Sequence, residues 1–328
     1  MGTHSGQPQR ALSMGAEYSV TGTIDAGDLL GACYAFGGDA PNSAVQIGHG
    51  GADRGVSEPD GNFSGDIMLT TEDGISFYGD SSGSFAQLGH GGKDSVGPKS
   101  GDITVEGDFL EFIGGSEVRS YAQLGHGGVN ADGAKSGTIH VTATGRESKQ
   151  IFRNEVEHNG GLSLMFRAGE GIAYAQLGHG GRWAVGDIDG DIVIDAEVAG
   201  RVIYGPQPPA LDDITDFDMR DYLSSFVPTI AFTGGEDASL MYASYAQLGH
   251  GGYMRFNSAN HDAITGNIDI NSEGGVVFLG GNGETYYAQL GHGGAWSTAD
   301  CSGSIWLDVD RAHYHLEDYE IRSEPSPP

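Results

Sequence analysis

The chain has 328 residues, and 57 of them are glycine, about one in six against a usual share of ~7%. Its net charge is −29, from 45 acidic and 16 basic residues, a surface that repels nucleic acid and anionic membranes. No Gly-X-Y period is present, which excludes collagen, and a hydrophobic fraction of 38% with 13 Phe and 14 Tyr exceeds what a disordered glycine-rich linker carries.

No apolar run approaches the ~18 residues of a membrane helix. Neither nucleic-acid binding nor membrane insertion is therefore expected. The glycines are read as positional, set where a folded chain turns tightly again and again.

In chain order, residues 1–19 open with the polar string MGTHSGQPQR, which lacks the apolar core of a signal peptide. They are read as an N-terminal extension or cap, on a mature or cloned fragment. A recurring element begins at Gly22/Ile24: glycine, a short polar residue, then isoleucine, commonly with an apolar residue two positions on. It returns at Gly65/Ile67, Gly101/Ile103, Gly137/Ile139, Gly190/Ile192, Gly266/Ile268 and Gly303/Ile305.

The second element is an apolar residue, any residue, then Phe, at Tyr34/Phe36, Ile75/Phe77, Leu110/Phe112, Leu164/Phe166, Ile230/Phe232 and Val276/Phe278. The third is an octapeptide: AVQIGHGG at 44–51, FAQLGHGG at 85–92, and YAQLGHGG at 121–128, 174–181, 245–252 and 287–294. Its histidines are His49, His90, His126, His179, His250 and His292, at intervals of 41, 36, 53, 71 and 42 residues. A strict helical repeat does not tolerate such variation, whereas a coil with insertable loops does.

Two insertions break the pattern, at about 143–161 and 195–229, and both fall at the same inter-strand corner. The second holds ALDDITDFDMRDYLSSF, read as a short helix over 210–226. Residues 308–328 are read as an acidic C-terminal tail or cap.

Alternation at period 2 predicts strands with one buried face. Three such segments in ~35–40 residues fit an all-β, right-handed parallel β-helix of three strands per coil and six to seven coils over 20–307. A β-propeller, with four strands per blade, ranks second. The predicted core is a set of columns. One holds Ile24, Ile67, Ile103, Ile139, Ile192, Ile268 and Ile305. A second holds Phe36, Phe77, Phe112, Phe166, Phe232 and Phe278. A third wall holds Ala44, Ala86, Ala122, Ala175, Ala246 and Ala288, with Ile47 and the motif leucines.

Six histidines in register invite a metal, yet ligands around one ion must converge and a flat ladder does not. The reading expects no metal, with each imidazole bonded to turn backbone and resisting protonation beside its neighbours. Gln46, Gln87, Gln123, Gln176, Gln247 and Gln289 predict an amide ladder along the axis. Ala and Leu are expected inside the coil, with Gln and the aromatics outside. Phe85, Tyr121, Tyr174, Tyr245 and Tyr287 then form either a stability ladder or an exposed stripe for a flat partner or sugars.

Asp212, Asp213, Asp216, Asp218 and Asp221, in the second insertion, are dense enough for calcium or an acid/base pair. A solvated acidic loop is the commoner explanation, and no cofactor is expected. The GDxDGD string from Gly186 to Asp191 is a fragment of a calcium-loop pattern without its closing Glu. Cys33 and Cys301 fall at opposite ends, over ~20 Å apart by strand stacking, which excludes a disulfide between them.

The repeated (Y/F)AQ(I/L)GHGG, with SGDI-type strands and xxFxGG segments, resembles the repeats of large bacterial exoproteins similar to filamentous haemagglutinin. The resemblance covers about Ile24 to Leu307. It implies a secreted β-helical adhesin, exported by a two-partner or autotransporter route, at the cell exterior or cell surface. The expected function is a structural, adhesive rod whose inserted loops meet a host or neighbouring-cell glycan or protein. Alternatives are a fibre subunit that associates end to end through open strand edges, and a carbohydrate-active enzyme such as a polysaccharide lyase or tailspike-like hydrolase.

Overall fold

The computed structural model describes residues 20–51, 61–145, 162–169, 172–197, 229–235, 244–253, 262–281 and 286–315. The fold is all-β, with no α-helix among these residues. Parallel strands from successive repeats pair into curled sheets, the arrangement of a parallel β-helix-like fold.

Each of the regular repeats contributes four strand segments where the sequence pattern predicts three. In one repeat they are Lys99–Ser100, Ile103–Gly107, Leu110–Ile113 and Tyr121–Leu124. A two-residue strand is too short to show alternation, so a period-2 search passes over it. The short segments form a seven-stranded sheet from Val20–Thr21 to Asp300–Ser302. The isoleucine and phenylalanine strands form two faces of a twelve-stranded sheet, joined through the continuous strand Ile268–Leu279. The octapeptides form a six-stranded sheet from Ala44–Ile47 to Tyr287–Leu290.

Register turns the repeats into columns. The seven isoleucines from Ile24 to Ile305 are paired partners in turn. The rings of Phe77, Phe112, Phe166, Phe232 and Phe278 stack at centroid separations of 5.0, 4.7, 5.0 and 5.2 Å. Offset stacks of this kind add about 0.5–1.5 kcal/mol per pair beyond the area they bury. Together with Ala86, Leu88 and their equivalents, these residues make one continuous core.

The first repeat departs from the predicted columns. Ala35, not Phe36, lies opposite Phe77, while Phe36 pairs with Tyr78, is exposed and stacks on that ring at 5.1 Å. Cys33 and Ala35 face the core here, one residue out of phase with the Tyr34/Phe36 pattern. In the same repeat Val45, not Ala44, stands opposite Ala86, and Ala44 is opposite Phe85. At the other end, Ile305–His315 pairs along Ile268–Leu279, so regular structure runs past the predicted boundary at 307. Most of both insertions (146–161 and 198–228), with the helix predicted over 210–226, lies outside the described residues.

Glycine is required where one repeat touches the next. At Gly125 (φ +144°) a Cβ would stand 2.1 Å from the carbonyl oxygen of Gly178. Gly291 holds the same place in the last octapeptide (φ +131°), yet its Cβ would meet nothing nearer than the Ile305 Cδ1 at 3.7 Å. Both positions carry the backbone strain of a positive φ, roughly 1–3 kcal/mol for a residue with a side chain. Gly125→Ala adds a clash with rigid backbone and should lower the urea midpoint well beyond that strain, while Gly291→Ala should show the strain alone. Equal losses in the two variants would contradict the packing described.

Candidate functional site

The octapeptide is where polar side chains concentrate, and the structure places them inside. Gln87, Gln123, Gln176 and Gln247 are fully buried, as are Tyr121, Tyr174, Tyr245 and the histidines His90, His126, His179 and His250. This corrects the outward placing of Tyr and Gln. The strand does put Ala and Leu on one face and the aromatic and Gln on the other. That second face is covered by the glycine-rich loop returning to the short-strand sheet. Phe85, Tyr121, Tyr174 and Tyr245 form a second core there with Val129 and Tyr253, and Tyr287 packs against it partly buried. An exposed Tyr stripe for sugars is therefore not present.

Five of the six imidazoles, all but His49, make two hydrogen bonds. Nδ1 of His90, His126, His179 and His250 accepts from the backbone N–H of the preceding octapeptide histidine at 2.9 Å, and Nδ1 of His292 at 3.1 Å. Nε2 faces a glycine carbonyl before the isoleucine strand: Gly22 for His49, Gly65 for His90, Gly101 for His126, Gly137 for His179, Gly190 for His250 and Gly266 for His292, at 2.8–3.0 Å. A carbonyl can only accept, so Nε2 carries the proton. A backbone N–H can only donate, so Nδ1 is bare. The network assigns the neutral Nε2–H tautomer to these five rings. Nδ1 ties one repeat to the one before, and Nε2–H ties the end of the octapeptide strand back to its own repeat. The six rings stack 4.7–5.0 Å apart.

The glutamines bond to backbone and not to one another, which replaces the predicted amide ladder. Nε2 of Gln46, Gln87, Gln123, Gln176 and Gln247 donates to the first glycine carbonyl of the next GHGG at 2.8–3.1 Å. It reaches the second at 3.2–3.4 Å. The second carbonyl already accepts the backbone N–H of the preceding repeat's last glycine, as Gly127 does from Gly92 at 2.6 Å, so the glutamine amide chiefly satisfies the first, which has no such donor. The Tyr121 hydroxyl donates to Gln87 Oε1 at 3.3 Å, and Tyr174 to Gln123 Oε1 at 3.1 Å. Phe85, with no hydroxyl, stands where the partner would be Gln46, which is only part-buried.

Burial, with His179 and His90 alongside, holds the His126 imidazolium well below the ordinary histidine range, and burial lowers His179 to about 4. His90 and His292 are lowered for the same first reason. Among the described residues no group of three or more His, Cys, Asp or Glu side chains is placed to hold a metal ion. Asp212, Asp213, Asp216, Asp218 and Asp221 lie outside the described residues. In the GDxDGD string, Ile188–Asp189 is one of the short strands, and Asp187, Asp189 and Asp191 accept hydrogen bonds from Ala263, Thr265 and Asn267 of the next repeat. Neither Cys33 nor Cys301 forms a disulfide among the described residues.

Sequence reasoning missed the buried charged groups Lys93, Lys99, Glu111, Lys135, Arg182 and Asp262. Lys99 and Lys135 occupy the place held elsewhere by Phe63, Ile188 and Ile264. Lys135 Nζ donates to the carbonyls of Ala131, Gly133 and Val185 at 3.1, 2.8 and 2.6 Å. Glu111 is buried, is bonded by the Tyr78 hydroxyl, and has its carboxyl pushed up by burial. An acidic cleft of about 300 Å³ also opens at the corner that leads into the 143–161 insertion. Glu72, Glu106 and Asp108 line it beside Thr70, Thr71 and Thr144.

No family model matches the chain, and no curated protein and no solved structure matches it either.

The histidine column makes stability depend on pH. The folded pKa values of His90, His126, His179 and His292 lie below the unfolded value of 6.5. Below that value the unfolded chain binds more protons, so stability falls as pH falls, from about 6.5 down to the about 4 of His179. Glu111 opposes this, since its raised pKa favours the fold at lower pH, but it is one group against four. The urea midpoint should drop between pH 7 and about pH 4, and a flat profile would contradict the assigned tautomers. His126→Phe keeps the stacking but orphans His90 N–H and the Gly101 carbonyl, each worth roughly 1–3 kcal/mol. That variant should lose stability and flatten part of the pH dependence.

Proposed function

We propose that the protein is a structural, adhesive rod, a right-handed parallel β-helix of six to seven coils at the cell exterior. Its insertions at 143–161 and 195–229 meet a surface glycan or protein. One observation carries this reading: the repeated polar groups are consumed inside the coil. Both nitrogens of the buried imidazoles and the glutamine amides bond to backbone, which leaves the motif no reactive atom to offer a substrate. A repeat whose chemistry is turned inward builds a support, and the variable loops are left to do the recognising.

A second reading, a carbohydrate-active surface, is favoured by the acidic cleft lined by Glu72, Glu106 and Asp108. Carboxylates in a cleft are the groups that glycosidic cleavage uses.

Two measurements separate these readings. The intact chain is expected to bind cells or an immobilised glycan or protein panel, and to lose that binding when 198–228 is replaced by a short Gly/Ser turn while the β-sheet circular dichroism is kept. Binding unchanged by the replacement, or absent in the intact chain, contradicts the adhesive reading. Release of reducing ends from acidic or neutral glycans, abolished by Glu106→Gln, would establish the second reading in its place.

A further inference from the structure

The sheets do not end together. After the last octapeptide the short-strand sheet continues to Asp300–Ser302, and the wide sheet continues to Ile305–His315. Among the described residues the octapeptide sheet stops at Tyr287–Leu290, which is paired on one side only, with Tyr245–Leu248. A place one strand wide is left beside Tyr287–Leu290. Its floor is half-buried, where the equivalent residues of the four interior repeats are fully buried. Ile305 at its side is 44% exposed, against 0–1% for Ile67, Ile103, Ile139, Ile192 and Ile268.

The groups around this place are those that meet the next octapeptide everywhere else. In five earlier repeats the histidine N–H donates to the next imidazole Nδ1; His292 N–H has no such acceptor among the described residues. In six repeats a glycine carbonyl receives an imidazole Nε2–H; Gly303, next in that column, receives none among the described residues. Gln289 Nε2 bonds only within its own turn, to Gly291 and His292 carbonyls. The earlier glutamines also reach two carbonyls of the repeat that follows. A donor for Nδ1 and an acceptor for Nε2–H thus wait on either side of a missing imidazole.

We propose that this place is an acceptor for one parallel β-strand of the pattern aromatic-Ala-Gln-Leu-Gly-His-Gly-Gly, carried on a polypeptide segment other than residues 1–328. Main-chain bonding to an open sheet edge gives the affinity, and the clasped histidine gives the selectivity. Residues 316–328 do not carry that pattern. From the position paired with Phe278, Tyr314, the spacing seen in other repeats leads to residues 322–327, which read Arg-Ser-Glu-Pro-Ser-Pro. They hold no histidine, and proline cannot donate to a ladder. A second folded copy does not fit either. Its first octapeptide strand is tied through His49 to Gly22, between its strands Val20–Thr21 and Ile24–Leu29. Those would need the places already held by Asp300–Ser302 and Ile305–Val309.

The test uses the full chain with a fluorescein-labelled peptide YAQLGHGG, read by anisotropy near neutral pH. Saturable binding is expected, at least tenfold weaker for the peptide YAQLGAGG. It should also be at least tenfold weaker for the Gly291→Ala protein, whose added methyl points into the vacant place and clashes with nothing in the rest of the fold. Amide exchange at Ala288, Leu290 and His292, which face the open side, should be fast in the free chain and slow on binding, while Gly291, whose N–H donates to Leu248, is protected in both. No binding, or equal binding in either comparison, overturns the proposal. Exchange of those three amides in the free chain as slow as at Ala246, Leu248 and His250 assigns the place to residues 316–328 and overturns it. An oligomer in sedimentation that Gly291→Ala dissociates assigns it to a second copy and overturns it as well.

Discussion

The backbone N–H of His126 points along the stack at Nδ1 of His179, 2.9 Å away, while Nε2 of the same ring gives its proton to the Gly137 carbonyl at 2.8 Å. That pair of bonds accepts only a neutral ring in one tautomer. It also solves the central difficulty of a wound chain: successive turns must be joined, and each turn must be closed on itself, without a covalent link. The imidazole does both from one side chain. Because the bonds are buried, leaving either partner unmatched is expensive, and a ring that gained a proton at Nδ1 would present a donor to a donor. Structure and acid sensitivity therefore come from the same contact.

The glycines follow from that contact. To bring a backbone N–H of one repeat against a ring of the next, the GHGG backbones must approach within the radius of a side chain. Gly48, Gly89, Gly125, Gly178 and Gly249 each place the site of a Cβ 2.0–2.1 Å from the next repeat's carbonyl oxygen. The glutamine amides then fill the acceptors that such turns leave over. Glycine richness, which in a polar chain would signal disorder, here marks backbone packed against backbone.

Much of this was legible in the sequence. Exact recurrence of the octapeptide across intervals that vary from 36 to 71 residues required a coil with insertable corners, and the Ile and Phe columns followed from it. The short strands were not legible, because Lys99–Ser100 offers no periodicity to detect. Nor was the inside of the octapeptide face: Gln and Tyr are usually surface residues, and only the returning glycine loop covers them. Phe36 was misplaced because that strand of the first repeat slips by one residue against the pattern, whereas the first octapeptide keeps register and Ala44 stands at its aromatic position, with Val45 at the alanine position. Lys99 and Lys135 would have been visible by aligning the repeats, since a lysine stands where Phe63 and Ile188 stand.

The account rests on the protonation state of the histidine column, and nitrogen-15 NMR of the imidazole rings reads it directly. Near pH 5.5, between the ordinary histidine value and the about 4 of His179, His126 and His179 are predicted to remain neutral. Nε2 should then show the shift of a protonated nitrogen and Nδ1 that of a bare one. Imidazolium signals, or a proton on Nδ1, from these rings in the folded protein would contradict the account.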